Sequence, residues 1–386
     1  MKRLLSEIDR TLEIDLDGNN AAFLWGPRKV GKTTLLRQKF PKAKYYDLLD
    51  SELKTRLLLK PSLLKEDVLA EKPPLIILDE VQKVPALLDE VHWCLENTAT
   101  KFIMCGSSAR KLKWGAANLL GGRAWRFELF PLTTHEIGQP DLVRILNHGL
   151  IPKHYLESAP ERSLKSYVLD YIEEEINSEA LVRNVPSFAR FLDAVSLTHG
   201  QLVNYANIAR DCGVSPKTAR EYYQILEDTL LGHELPPWRK TRKRRLIETA
   251  KFYLFDVGVV RALSGMRQIQ EGTEEFGRAF EHFLIEEVRA FLSYKEKNFP
   301  LAFWRTSTGL EVDLIVGDLD LAVEFKAARQ VSGQHLKGLL ALKDDQPVKR
   351  AMVVSLDETI RKTESGVEIL PWQTFCEYLW AGKIID

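Results

Sequence analysis

Residues 26–33, Gly26-Pro27-Arg28-Lys29-Val30-Gly31-Lys32-Thr33, followed by Thr34, have the types and spacing to hold a triphosphate. They meet the pattern G-x-x-x-x-G-K-[ST], in which two glycines let the backbone turn tightly and aim its N–H groups at phosphate oxygens. In that pattern Lys32 reaches the β- and γ-phosphates of ATP and the Thr33 hydroxyl ligates Mg²⁺. The helix that starts here turns its positive dipole end towards the ligand. A second chemical pair closes the run Leu75-Ile76-Ile77-Leu78-Asp79-Glu80. Asp79 is placed to hold Mg²⁺, and Glu80 to polarise the water that attacks the γ-phosphate. Lys101-Phe102-Ile103-Met104-Cys105 ends in Gly106-Ser107-Ser108. A hydroxyl there orients the lytic water or senses the γ-phosphate; alternatively Ser107 or Ser108 caps the helix that follows.

The other chemistry-bearing residues lie towards the C-terminus. Glu311-Val312-Asp313-Leu314-Ile315-Val316 and Leu321-Ala322-Val323-Glu324-Phe325-Lys326 read as strands, after an amphipathic helix over Phe276–Val288 that carries Glu281. Side chains alternate along a strand, so Glu324 and Lys326 point to one face. On that face Asp313 and Glu324 can share Mg²⁺ while Lys326 orients or deprotonates a water for attack on a phosphodiester. Glu281 would complete the acid cluster, with Glu286 or Glu287 as substitutes. The same pattern suits a sheet whose buried charges pair as Glu324–Lys326 without hydrolytic activity. Helix glutamate, strand acid and E-x-K together resemble the PD-(D/E)xK nuclease core.

Between these sites, Tyr205–Arg210 is helical and Cys212-Gly213-Val214 forms a turn. Ser215-Pro216 then supplies an N-cap and N1 proline for a second helix that carries Lys217, Thr218 and Arg220 near its start. This is a helix-turn-helix pattern whose second helix fits a DNA major groove. Arg239-Lys240-Thr241-Arg242-Lys243-Arg244-Arg245 follows, flanked by the strand-like Lys251-Phe252-Tyr253-Leu254-Phe255. A basic hairpin after a helix-turn-helix resembles a winged helix with its wing against phosphate. The alternative is a module that packs on protein, with the basic run a solvated loop.

The elements that must position these residues follow from the pattern around them. Strand and helix signals alternate through the first 150 residues, which predicts a parallel sheet flanked by helices. A length of 386 residues predicts two or three domains at roughly 150 each. Lys+Arg and Asp+Glu balance at 54 each, so any basic surface is local. The four cysteines form no C-x-x-C pair, which argues against a disulfide framework or zinc site and fits a reducing cytoplasm. No run approaches the ~18 apolar residues of a membrane span, and the N-terminus meets charge before any signal-like core.

Taken with Leu78-Asp79-Glu80-Val81-Gln82-Lys83 and Gly121-Gly122-Arg123 leading to Leu129-Phe130-Pro131-Leu132-Thr133, the phosphate loop and Gly106-Ser107-Ser108 resemble the AAA+ ATPases. The chain is more specifically similar to a widespread bacterial and archaeal family of AAA+ ATPases with an uncharacterised C-terminal region. The resemblance implies an α/β fold: an AAA+ P-loop core over residues 1–150, a helical lid over 151–195, a winged helix over 196–265 and a nuclease-like domain over 266–386. It also implies an arginine finger at Arg123, with Arg126 second, and hence a homo-oligomer, a ring or hexamer being the natural form. A lid arginine is not evident; Arg162 is the nearest match. AAA+ core plus winged helix also resembles the bacterial Holliday-junction branch-migration motor. The expected activity is a Mg-ATP-driven motor on structured DNA. The alternatives are an ATP-gated DNA nuclease and a regulatory ATPase whose winged helix binds protein.

Overall fold

A computed structural model describes residues 8–17, 20–107, 120–171, 184–239 and 249–385. They divide into one unit of Met1–Leu132 with Ile225–Leu231 and another of Thr133–Gln224 with Gly232–Asp386.

In the first unit, strands β1 (Ala21–Trp25), β2 (Lys44–Asp47), β3 (Leu75–Asp79), β4 (Lys101–Gly106) and β5 (Ala124–Glu128) form a parallel sheet ordered β2-β3-β4-β1-β5. Every residue of β1 is buried, which is why it reads as a continuous apolar run rather than an alternating one. Helices α1 (Lys32–Lys39), α2 (Ser51–Leu59), α3 (Leu63–Glu71) and α4 (Leu87–Asn97) supply the crossovers. Leu87, Leu88, Val91 and Cys94 line one face of α4 at helical spacing. They join Phe23, Trp25, Ile76, Leu78, Phe102 and Met104 in the core. Because β4 lies between β1 and β3, three adjacent strand ends deliver the phosphate loop, Ser107 and Asp79-Glu80 to one edge of the sheet. Ligands bind beyond that carboxyl edge in open α/β sheets.

The second unit opens with α5 (Thr134–Ile137), α6 (Leu142–His148), α7 (Pro152–Leu156), α8 (Glu161–Ser166), α9 (Val185–Leu197), α10 (Tyr205–Cys212) and, as far as Gln224, α11 (Pro216–Asp228). The antiparallel pair β6 (Gly232–Leu235) and β7 (Lys251–Leu254) follows, then α12 (Val257–Leu263) and the long α13 (Glu274–Tyr294). Strands β8 (Leu301–Arg305), β9 (Glu311–Val316), β10 (Leu321–Lys326), β11 (Ala351–Ser355), β12 (Arg361–Lys362) and β13 (Glu368–Pro371) make a mixed sheet ordered β12-β13-β11-β10-β9-β8. Helix α14 (Lys337–Asp345) precedes β11, and α15 (Trp372–Trp380) closes the chain. Trp304, Val312, Ile315, Ala322, Leu339, Leu342, Val353 and Ile369 form the core on one face of this sheet.

The division falls at Leu132–Thr133, ahead of the boundary expected near residue 150. Hydrogen bonds give the reason. The Thr134 N–H donates to Glu287 of α13 at 2.9 Å, Asn147 of α6 bonds both ways with Ile269, and the Leu150 N–H donates to Asp256 at 2.6 Å.

Candidate functional site

The phosphate loop turns on two glycines. A side chain at Gly26 would place its Cβ 2.5 Å from the Leu129 carbonyl oxygen, and Gly31 has φ +104. The loop thereby folds over Lys32, which is buried and donates from Nζ to the carbonyls of Gly26 at 2.6 Å and Pro27 at 3.0 Å. The Thr33 hydroxyl donates to Asp79 Oδ2 at 2.7 Å. A hydroxyl and a carboxylate side by side at the start of a phosphate-loop helix are the oxygen donors that a hard Mg²⁺ ion prefers, so the residues present fit the ion.

Asp79 takes two further bonds that the sequence did not signal. The Tyr45 hydroxyl donates to Oδ2, and the Cys105 thiol donates to Oδ1 at 2.6 Å. The register explains both: Asp47 and Cys105 pair with Asp79 on the strands either side, which brings the adjacent side chains of β2 and β4 to it. Burial, and then the neighbouring carboxylate, push the Tyr45 hydroxyl and the Cys105 thiol well above their ordinary values, so both remain neutral donors.

Glu80 has φ +61, a left-handed turn that ends β3. Its carboxylate accepts from Gln82 Nε2 at 2.6 Å, and the same amide nitrogen reaches Ser107 Oγ at 3.2 Å. Ser107 is buried, and Gln82 links it to Glu80; Ser108 lies outside the described residues. Arg10 braces the loop from upstream, donating to Val30 O at 2.6 Å and Phe130 O at 2.7 Å. Gln82 lies within the motif Leu78–Lys83 but carried no role there, and Arg10 carried no motif signal. Arg123 immediately precedes β5, where its Nε bonds Glu96 of α4 at 2.8 Å within the same chain, both side chains being half exposed. Arg126 and Arg162 are exposed.

The C-terminal cluster converges only in part. Lys326 Nζ lies 2.6 Å from Glu324 and 3.5 Å from Asp313, and the Phe325 N–H donates to Asp313 Oδ2 at 2.8 Å. Burial, then each other's charge or that of Glu281, raises the affinity of Asp313 and Glu324 for protons. Glu281 is drawn the other way: Lys251 Nζ of β7 approaches it at 3.0 Å and the Tyr253 hydroxyl at 2.6 Å. Lys251 also pairs with Glu311 at 2.6 Å. Among the described residues no three acids, histidines or cysteines stand close enough to hold a metal ion. Glu281 thus acts electrostatically on Asp313 and Glu324 while its carboxylate is bonded to Lys251 and Tyr253, and among the described residues the three acids do not close into a metal-holding group. The substitutes do not serve either. Glu286 pairs with Arg289, and Glu287 is buried against Thr134 and Trp380.

In the helical segment, Ser215 caps α11 by accepting from the Thr218 N–H at 3.1 Å, which leaves Lys217 and Arg220 exposed beside its first turn. Arg220 lies over the Tyr205 ring at 4.9 Å. Arg239 is exposed; Lys240, Arg242, Lys243, Arg244 and Arg245 lie outside the described residues.

Comparison with known families divides the chain in three. Residues 18–138 match a family described as AAA domain, residues 139–270 a domain of unknown function (DUF8612), and residues 276–375 another (DUF4143). The first match agrees with the phosphate loop on a five-stranded parallel sheet, so the N-terminal part is similar to AAA domains. Uncharacterized protein Rv2008c of Mycobacterium tuberculosis and Mb2031c of Mycobacterium bovis are each 29% identical over 303 residues, which cover 76% of this chain. That stretch covers 66% of each relative's own length, just under two thirds. Among solved structures, the Walker-type ATPase paby2304 of Pyrococcus abyssi aligns with 15% identity and a TM-score of 0.43, over 64% of this chain and 92% of that one. The Aeropyrum pernix Orc1 protein, solved in complex with DNA, aligns with 14% identity and a TM-score of 0.29, over 68% and 91%. No described helix is long and apolar enough to cross a membrane.

Proposed function

We propose that this chain binds and hydrolyses Mg-ATP in its AAA domain and uses the cycle to act on DNA. The observation that carries the ATP reading is the meeting of Lys32, Thr33 and Asp79 at the carboxyl edge of the sheet. Lys32 would exchange its two carbonyl partners for phosphate oxygens, and Thr33 and Asp79 would hold Mg²⁺. Bound Mg²⁺ would neutralise charge on the phosphates. Glu80 would accept the proton of the attacking water, with Gln82 fixing its carboxylate and Ser107 completing the line.

The DNA reading draws support from exposed Lys217 and Arg220 at the capped start of α11, within a helix-turn-helix followed by an antiparallel pair, the arrangement of a winged helix. Arg123 would act as a finger in a homo-oligomer by leaving Glu96 for a neighbour's nucleotide. Remodelling of structured DNA, such as branch migration, is the preferred activity. ATP turnover measured with duplex, single-stranded and four-way-junction DNA tests it. Turnover should rise with junction DNA and lose that rise in Lys217→Glu/Arg220→Glu. Calorimetry that detects no Mg-ATP uptake, or DNA-independent turnover at low salt, sinks the respective half of the proposal.

A DNA nuclease in the C-terminal domain is the second reading, favoured by Asp313, Glu324 and Lys326 on one face of β9 and β10. Mg²⁺-dependent cleavage that disappears with Lys326→Ala supports it, and cleavage unaffected by that change does not.

A further inference from the structure

A cavity of about 30 Å³ lies between the C-terminal end of α9, α12 and the first half of α13, lined among others by His199, Arg261, Glu275, Arg278, Ala279 and His282. One water needs about 10–15 Å³ of such space, so this one admits a pair of waters or one small ion. Three N–H donors of its lining side chains have no acceptor among the described residues: Arg261 Nε, Arg278 Nε and His199 Nε2 are buried and unpartnered. Arg261 is only 8% exposed and His199 only 7%.

The tautomer of His199 follows from its other nitrogen. Nδ1 accepts the Leu254 N–H at 3.2 Å, so in the neutral ring the proton sits on Nε2, which is therefore a donor. Arg261 carries a full charge with a single carboxylate near it, Glu161 at 4.0 Å and largely exposed. Arg278 spends one terminal nitrogen on Glu274 at 3.0 Å. Glu275 lines the cavity but forms no ion pair with either arginine among the described residues. Burying a guanidinium and three N–H groups without acceptors is costly, and a single oxyanion offers acceptors to all of them together with the opposite charge.

We propose that this cavity is a binding site for one small free oxyanion of the phosphate, sulfate or carboxylate class, held by Arg261, Arg278 and His199. The site is independent of the ATP reading. Its space of about 30 Å³ suits a small ion rather than a nucleotide.

The test follows the full chain by calorimetry and thermal unfolding as sodium phosphate or sodium acetate replaces chloride at constant ionic strength. The phosphate loop also binds phosphate, so each titration is repeated in Lys32→Ala. The expected result is a saturable oxyanion response that survives Lys32→Ala and weakens at least about tenfold in Arg261→Gln, as loss of one charge-assisted bond requires. Ala279→Leu, which fills the cavity without changing charge, and Arg278→Gln should each weaken the same response. They decide the matter if Arg261→Gln does not fold. A response abolished by Lys32→Ala, or equal in the wild type and all three cavity variants, overturns the proposal. So does release of phosphate by a short single-stranded oligonucleotide that binds in its place, since the ligand would then be a nucleic-acid phosphate.

Discussion

In the AAA domain Lys32 donates to two backbone carbonyl oxygens, and Asp79 is held by a hydroxyl, a phenol and a thiol. In the C-terminal cluster lysines and acids hold one another: Lys326 with Glu324 and Asp313, Lys251 with Glu281 and Glu311. The residue types are the same, and the partners differ. A charge held by neutral dipoles keeps its field for an incoming ligand and exchanges partners at modest cost. A charge held by its opposite is already neutralised, and an incoming ion must first break a buried pair. The first arrangement thus suits an incoming ligand, whereas the second is already satisfied by its own ammonium groups.

The largest effect belongs to the ligand-ready site. Lys32→Ala should lower ATP turnover by about 10²–10³-fold, as loss of one preorganised donor to developing charge does. Lys326→Ala should leave turnover unchanged. Steady-state phosphate release on both variants checks the pair, and equal losses would erase the distinction drawn between the two clusters.

Next comes the cost of opening the neutralised cluster. Lys251→Met leaves Glu281 and Glu311, each about one fifth exposed, without their ammonium partner and with Tyr253 and Arg305 beside them. It should destabilise the second unit by about 3 kcal/mol, read by urea unfolding. Adding Glu281→Gln should recover part of that loss, because the stranded charge is gone. If the single variant is as stable as the wild type, the internal pair does not close the site.

A smaller change tests the positioning of Glu80. Gln82→Leu removes the amide that joins it to Ser107, and should cost roughly tenfold in kcat with little change in ATP affinity, since a misplaced base affects chemistry before binding. The split between kcat and nucleotide Kd is the readout, and an effect on Kd alone assigns Gln82 to binding instead.

The smallest effect separates burial from partner type. Glu287, like Asp79, is held by neutral donors, but it is wholly buried, and burial pushes its carboxyl up to about 7. A folded-state value above the ordinary one means that the native protein binds the extra proton. The associated stability is therefore full below about pH 4.5 and is lost as pH rises through about 7. The slope from this group is at most about 1.4 kcal/mol per pH unit. Glu287→Gln should flatten the pH dependence of unfolding between those limits, and an unchanged profile removes Glu287 as its source.

Much of the first site was legible because its chemistry is local. Eight consecutive residues specify the turn, the lysine and the hydroxyl, and an apolar run ending in two acids specifies where the carboxylates emerge. Strands at Glu311–Val316 and Leu321–Lys326 were likewise readable from their apolar runs, together with the shared face of Glu324 and Lys326. Tyr45, Cys105 and Gln82 left no such trace. Their roles come from which strands lie beside β3, and from a left-handed turn at Glu80 that swings Gln82 back.

Local pattern thus specified the phosphate loop, its two acids and the strands that carry Asp79, Asp313, Glu324 and Lys326, since each depends on residues a few positions apart and on spacing that backbone geometry imposes. Tertiary structure alone decided the rest. It bonded Glu281 to Lys251 and Tyr253 beside Asp313 and Glu324, tied residues 133–150 to the second unit, and gathered three unanswered N–H donors around one cavity. Charge pairing and burial act between residues tens to more than a hundred positions apart, and no local pattern records which of several acids a buried lysine will reach first.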